Sequence, residues 1–186
     1  MNYGLKDKLP QNIVQYLWSA GPQCETPKRT DEKVTHFVLN SVPESCTAAV
    51  QASRRMGISS VVLTTFLEGE AREAGTFLGT LAREIQANGR PVEAPCFVFC
   101  SGETTTKVEH SAGTGGPGHE FAMGFAMEAR NVPGAVLASV DTEGTDGTTK
   151  YAGGLADSQT VSELLEAGYD YYEVQREHMA GDALAD

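Results

Sequence analysis

Basic charge is scarce in this 186-residue chain, which has 14 lysines and arginines against 25 aspartates and glutamates. The net charge of −11 argues against a nucleic-acid groove or an anionic membrane surface as partner, because both attract positive charge. It does not oppose phosphate binding, since backbone N–H groups or a bound cation can supply positive charge locally. The hydrophobic fraction of 40% is enough for a packed core. We therefore expect a globular protein with no nucleic-acid and no membrane partner.

Long apolar runs and paired cysteine motifs are also absent. No run approaches the ~20 residues of a membrane span, and the first twelve residues lack the apolar region of a signal peptide. The four cysteines, together with His110 and His119, do not have zinc-site spacing. Cys96 and Cys100 would lie ~13 Å apart along a predicted strand, too far for a disulfide. These absences predict a cytoplasmic protein whose thiols are buried and reduced.

Apolar patterns typical of strands and helices alternate along most of the chain. Strands are predicted at 36–40, 61–63, 96–100 and 135–140, and helices at 9–18, about 42–56, about 74–88, 121–129 and 157–168. This order predicts an α/β fold, a mostly parallel β-sheet of βαβ units with helices on both faces. The β-prone run 104–109 is a candidate for an antiparallel edge. An amino-terminal helix and linker at 1–33 precede the α/β domain at 34–186.

A glycine cluster, GTGGPG at 113–118, lies directly before a helical pattern. It matches neither a Walker A loop, which ends in Lys-Ser or Lys-Thr, nor a G-x-G-x-x-G fingerprint directly after a strand. Glycines let a ligand approach closely, and the start of a helix offers N–H groups to an anion. Gly115, Gly116 and Gly118 are therefore candidates for phosphate binding. A tight connection between strand and helix explains the same glycines equally well.

Two loops after predicted strands are rich in hydroxyls and carboxylates. SGETT at 101–105 places Glu103 where it could orient a substrate hydroxyl, bind Mg²⁺ through water, or accept hydrogen bonds from loop amides. In DTEGTDGTT at 141–149, Asp141, Glu143 and Asp146 are spaced to converge on one cation or on a polyhydroxyl substrate. A turn rich in Asx and Thr hydrogen bonds is the structural alternative. Glu120 falls in the first turn of a predicted helix, where the helix dipole favours a carboxylate.

Five segments taken together resemble the carboxyl-terminal half of the glycerate 2-kinase family, whose terminal region is called the MOFRL domain. The segments stand in the family's order: ETPK at 25–28, LEGEAREAG at 67–75, SGETTT at 101–106, GGPGHEFA at 115–122, and GTDGTT with AGG at 144–154. The resemblance implies an α/β fold and an ATP- and Mg²⁺-dependent transfer of phosphate to the 2-hydroxyl of glycerate. Some relatives carry the older name hydroxypyruvate reductase.

The loop motifs and the resemblance together give three sets of candidate site residues. The catalytic set is Glu103, Glu120 and Asp146. The metal-ligating set is Asp141, Glu143 and Asp146. The substrate- or phosphate-binding set is Ser101, Thr104, Gly115, Gly116, Gly118, His119, Thr145 and Thr148.

The sequence departs from the family's pattern in several places. Pro117-Gly118-His119 stands where family members often have Arg-Asn-Gln, and Lys150 stands where an aspartate is common. The family's large amino-terminal domain, which carries a catalytic lysine, lies outside this sequence, as does its Gly/Thr/Asn-rich terminal region. We therefore expect the carboxyl-terminal portion of a longer kinase, lining half of an interdomain active site for ATP and glycerate. A homodimer and inactivity of this portion alone are both open.

Two other functions are considered. A binding or assembly domain could keep the same fold without catalysis, and the missing arginine and catalytic lysine favour that alternative. An NAD(P)-dependent hydroxypyruvate reductase is the weakest alternative, because no dinucleotide fingerprint follows the first predicted strand.

Overall fold

A computed structural model places residues 5, 8–29, 33–39, 41–108 and 113–185, and the description below is confined to them. The chain divides into two units, Met1–Leu39 and Asn40–Asp186, which are described separately. The predicted boundary between linker and α/β domain lay at residues 33 and 34. None of the helices in the placed residues is both long enough and apolar enough to cross a bilayer.

The first unit contains helix α1 (Gln11–Ser19) and a short 3₁₀ helix at Pro22–Cys24. The helix predicted at 9–18 is confirmed, although Val14 is its one buried residue and Trp18 is exposed. The strand predicted at 36–40 is not found in residues 36–39, and Asn40 lies outside the described residues. A strand requires a hydrogen-bonded neighbour. Phe37 and Leu39 are instead 81% and 95% exposed.

The second unit opens with a βαβ arrangement. Helix α2 (Val42–Arg55) is followed by strand β1 (Ser59–Leu67), helix α3 (Ala71–Asn88) and strand β2 (Cys96–Gly102). Ser41 and Glu44 bond to each other across the first turn of α2, and Gly89 ends α3 in the left-handed conformation that glycine favours. β1 and β2 pair in parallel, with Ser59 opposite Cys96 and Val62 opposite Phe99. The predicted parallel pairing of consecutive strands is thereby confirmed.

An antiparallel pair follows in the second half of this unit. Helix α4 (Pro117–Ala129) leads to strand β3 (Val136–Val140), which pairs antiparallel with strand β4 (Gly153–Asp157). The antiparallel strand therefore lies at 153–157 rather than at the predicted 104–109. Residues 104–108 contain a single parallel bridge, between Glu70 and Thr105, and Glu109 lies outside the described residues. In the part of the chain that the structure describes, the fold is α/β, with one parallel pair, one antiparallel pair and helices around them. The predicted α/β class is confirmed.

Three short helices complete the unit, and α4 forms its centre. They are α5 (Thr160–Glu166), α6 (Tyr171–Arg176) and α7 (Ala180–Ala183). Nine residues of α4 are buried, because α3, the β3–β4 pair and α7 all pack against this helix. Glycines bring the α3 and α4 backbones into direct contact: a Cβ on Gly75 or Gly124 would overlap a carbonyl oxygen of the other helix. The first turn of α4 is therefore held firmly in place, and it carries several of the predicted site residues.

Candidate functional site

The carboxyl ends of β1 and β2 lie side by side, as expected for a parallel pair. The two following loops are joined by backbone hydrogen bonds, from the Glu103 N–H to the Leu67 carbonyl and from the Thr105 N–H to the Gly69 carbonyl, each 2.9 Å long. Glu103 is exposed just beyond β2, whereas Ser101 is half-buried within the strand. Ligands of α/β proteins collect at this edge of a sheet. The predicted location of Glu103 at a strand end is therefore observed.

The first turn of α4 already binds a carboxylate, which comes from Asp146. Asp146 Oδ1 accepts the Gly118 N–H at 3.1 Å, and Oδ2 accepts the His119 N–H at 2.8 Å. The Nδ1 atom of His119 contacts the same Oδ2, and both side chains are 2% exposed. Pro117 has no N–H, and the Glu120 N–H bonds to the Gly116 carbonyl. The N–H groups of Gly118 and His119, expected to be free for a phosphate at the start of the helix, are thus bonded within the chain.

The glycine loop before α4 is fixed from two further directions. Thr148 donates its N–H to the Gly115 carbonyl at 3.1 Å, and Asp182 accepts the Thr114 N–H at 2.6 Å. A Cβ on Gly116 would overlap the Asp146 carboxylate. These contacts support the alternative in which the glycines provide close packing between a loop and a helix.

The acidic loop at 141–149 turns its carboxylates in different directions. Asp141 Oδ1 accepts the Glu143 N–H at 2.8 Å, which is an Asx turn, and Glu143 and Thr145 are exposed. Asp146 is buried against α4 instead. Within the placed residues, no three His, Cys, Asp or Glu side chains are gathered to hold a metal ion. The metal-binding role of the three predicted ligands stays a prediction, and among them Glu143 is exposed, Asp141 is half-buried and Asp146 is buried.

Glu120 is buried, 2% exposed, and is bonded on both oxygens. Arg72 of α3 donates to Oε2 through Nε at 3.2 Å and through Nη2 at 2.8 Å, while His178 Nδ1 lies 3.2 Å from Oε1. Arg72 Nη2 also donates to the Gln175 carbonyl at 2.7 Å. Glu120 therefore joins α3 and the α6–α7 connection to α4. Its predicted catalytic role stays untested, but its observed contacts are with the protein.

A cleft of about 430 Å³ opens beside this buried carboxylate. Its lining includes Glu70, Arg72, Glu73, Lys107, Arg176 and His178. Glu70 follows β1 and Lys107 follows β2, so the cleft lies at the carboxyl edge of the parallel pair. Thr106, which precedes Lys107 in the sequence, has a buried hydroxyl without a hydrogen-bond partner among the placed residues. None of these residues was singled out as a candidate from the sequence.

Tyr171 links α4 to Gln175, which lines this cleft. Its hydroxyl donates to the Met123 carbonyl of α4 at 3.0 Å and accepts a hydrogen bond from the Gln175 side chain. Burial raises the pKa of Tyr171 to about 12, and the nearby Arg72 cation opposes that rise. The neutral phenol therefore persists well above neutral pH, so it keeps donating to α4.

Comparison with known proteins identifies the second half of the chain. Residues 96–186, from the start of β2 through α7, match the MOFRL family. This segment is a MOFRL domain. The resemblance expected from the sequence motifs is thus confirmed.

Relatives and solved structures extend the likeness beyond the MOFRL domain. The chain is 36% identical to the glycerate 2-kinase of Pyrococcus horikoshii over 98% of its own length and 42% of that protein. It is 32% identical to a protein of Agrobacterium vitis, provisionally named hydroxypyruvate reductase, over 78% of its length and 34% of that protein. The crystal structure of glycerate kinase from Thermotoga maritima superposes with a TM-score of 0.82 at 29% identity, covering 97% of this chain and 44% of that one. The chain thus spans less than half the length of these relatives.

Proposed function

We propose that the chain forms the carboxyl-terminal portion of an ATP-dependent kinase that phosphorylates the 2-hydroxyl of glycerate. The observation that carries this proposal is the 36% identity to a glycerate 2-kinase over 98% of the chain. The joined loops at the carboxyl edge of β1 and β2 support it, because polar loops of this kind suit phosphoryl transfer, in which the protein mainly positions groups and neutralises charge. In this proposal the chain lines one side of an active site completed by another domain.

Carboxylates that are not fully buried fit Mg²⁺, which is usually held by one or two carboxylates together with phosphate oxygens and water. Asp141 and Glu143 would supply those carboxylates from the loop after β3, and Glu103 would do so from the loop after β2. A bound Mg²⁺ would neutralise charge on the phosphates of ATP. The hydroxyls of Ser101, Thr104, Thr145 and Thr148 would bind substrate or phosphate oxygens.

The buried pairs have a positioning role in this proposal. Asp146 holds His119 and the first turn of α4, and Glu120 holds Arg72. Gly115, Gly116 and Gly118 allow the acidic loop to approach α4 closely. Together these contacts would fix the distance between the acidic loop and the carboxyl ends of β1 and β2. A site lined from both sides depends on that distance.

A coupled assay of ADP release tests the activity. The chain would be joined to the amino-terminal part of the Thermotoga maritima relative and supplied with D-glycerate, ATP and Mg²⁺. Turnover is expected, and it should fall at least tenfold in the double variant Asp141→Asn/Glu143→Gln, because the Mg²⁺–phosphate charge would lose its carboxylate partners. The matched control is Glu163→Gln, an exposed carboxylate on α5. A folded fusion without turnover would contradict the proposal.

A non-catalytic binding or assembly domain is the second candidate. The burial of Asp146 and Glu120 favours it, because two of the three carboxylates predicted to be catalytic are bonded within the protein. Calorimetric titration with Mg²⁺-ATP and with D-glycerate separates the two functions, since a non-catalytic assembly domain should bind neither.

A further inference from the structure

Two of the three guanidinium nitrogens of Arg72 are bonded to neighbouring groups of the protein. Its Nε and Nη2 atoms are committed to Glu120 and to the Gln175 carbonyl, whereas Nη1 takes no part in these bonds. The side chain is 26% exposed and lines the cleft at the carboxyl edge of the parallel strands. An arginine fixed in this way loses little conformational freedom when it binds an oxyanion.

A second cation reaches the same cleft from another element. Lys107 follows β2, and its backbone N–H donates to Glu70 Oε2 at 3.0 Å, which fixes the loop against the start of α3. Arg176 lines the cleft as well. Arg72 and Lys107 bring positive charge to the lining from α3 and from the loop after β2.

The cleft also contains acceptors, which narrows the class of ligand. Glu70 and Glu73 lie in the lining beside the cations. Two carboxylates would repel a bare multivalent anion, but they accept hydrogen bonds from hydroxyl groups. A ligand with one carboxylate and neighbouring hydroxyls satisfies both kinds of group at once.

His178 shows that the cleft wall is held in an unusual conformation. Its φ angle is +53°, in the left-handed region that non-glycine residues seldom adopt, although histidine does so more often than most. His178 lies at the turn between α6 and α7, and its Nδ1 is 3.2 Å from Glu120 Oε1. Backbone strain of this kind often accompanies binding sites, so its position in the cleft lining agrees with a ligand-binding role.

We propose that this cleft binds a small hydroxy acid, with the carboxylate on Arg72 and Lys107 and the hydroxyls on Glu70 and Glu73. The inference rests on the proposed function, for which it locates the acceptor substrate in the cleft rather than on the glycine loop. Glu120 is a positioning residue here, since it acts on the ligand through Arg72, and His178 contacts Glu120 in turn.

Calorimetric titration of the 186-residue chain tests the cleft directly. D-glycerate should bind more tightly than inorganic phosphate, and glycerol, which lacks the carboxylate, should show no binding. Arg72→Gln and Lys107→Ala should each weaken D-glycerate binding by about tenfold or more, the usual effect of losing a charge-assisted hydrogen bond. The matched control is Arg83→Gln, because Arg83 also lies on α3 and pairs with α4 through Glu128, outside the cleft lining.

Lys107→Ala keeps the test decisive if Arg72→Gln fails to fold, because Lys107 is exposed on a loop. Equal affinity for phosphate and D-glycerate would overturn the hydroxy-acid assignment, and so would D-glycerate binding that Lys107→Ala leaves unchanged. In the fused kinase, turnover with a KM for D-glycerate insensitive to both variants would refute the cleft while the proposed function stands. D-glycerate binding that both variants weaken, in a fused protein that shows no turnover, would refute the proposed function and support the binding site in the cleft.

Discussion

Replacing Asp146 with asparagine isolates the carboxylate that caps α4. The substitution keeps the size of the side chain but removes its charge and turns one acceptor oxygen into a donor. Each Asp146 oxygen accepts one N–H of the first turn of α4, and Oδ2 also contacts His119. In the variant, an NH₂ group must face at least one of these donors.

The expected loss of stability follows from three contributions. Losing a side-chain cap costs ~1 kcal/mol. Removing a partly or fully buried charge at a helix N-terminus costs up to ~2 kcal/mol. A buried donor left without its partner costs ~1–3 kcal/mol. Because these contributions overlap, we expect Asp146→Asn to lower the free energy of unfolding by about 3 kcal/mol.

Urea unfolding measured by circular dichroism checks this value, with Asp141→Asn as the matched control. Asp141 lies in the same loop and carries the same charge, but it makes an Asx turn that asparagine also forms. The control should change the free energy of unfolding by less than about 0.5 kcal/mol. If the two variants were equally stable, the inward carboxylate would not be a cap, and its predicted roles in catalysis or metal binding would regain their weight.

Three further outcomes are expected. Gly75→Ala should destabilise the protein by more than about 2 kcal/mol, measured by urea unfolding, because the new Cβ overlaps the Phe121 carbonyl on α4. Tyr171 has a folded-state pKa of about 12, raised from 10.0, so its stabilisation is complete below pH 10 and is lost as the pH rises towards 12. Tyr171→Phe should therefore flatten the fall in unfolding free energy over that interval, by up to about 2 kcal/mol. Iodoacetamide should label the exposed Cys24 before Cys100, because burial raises the pKa of the Cys100 thiol.

Each of these outcomes has its own control. Thr80→Ala, at an exposed position of α3, should leave the stability within about 0.5 kcal/mol of the unchanged chain. Tyr172→Phe should keep the alkaline loss of stability, because Tyr172 is 69% exposed. In urea all four thiols should react at similar rates. Three results would each contradict the packing described. They are a Gly75→Ala variant as stable as the unchanged chain, a Tyr171→Phe variant that loses as much stability between pH 10 and 12 as the unchanged chain, and labelling of Cys100 before Cys24.

The elements that depend on local signals could be predicted from the sequence. α2 begins after Ser41 and ends at Arg55, two residues before Gly57, close to where its capping residues indicated, and the apolar spacing of α3 predicted that helix up to Gly89. Strand β4 was missed because Gly153 and Gly154 suggest a loop. It forms because β3 supplies its hydrogen bonds, which depends on residues far away in the chain.

The orientation of the site residues could not be predicted in the same way. The sequence indicated that the loop at 141–149 was acidic, but whether Asp146 points outward or caps α4 depends on tertiary packing. Arg72 and Glu120 are separated by 48 residues, and no local pattern links them. The segment LEGEAREAG was recognised only through its resemblance to a family.

Phosphorus NMR of the product formed from D-glycerate tests the proposed activity most directly. The chain joined to the amino-terminal part of the Thermotoga maritima relative would be incubated with D-glycerate, ATP and Mg²⁺. The signal of 2-phosphoglycerate, growing as ATP is converted to ADP, is the predicted result. A folded fusion that yields 3-phosphoglycerate, or no phosphorylated glycerate at all, would contradict it.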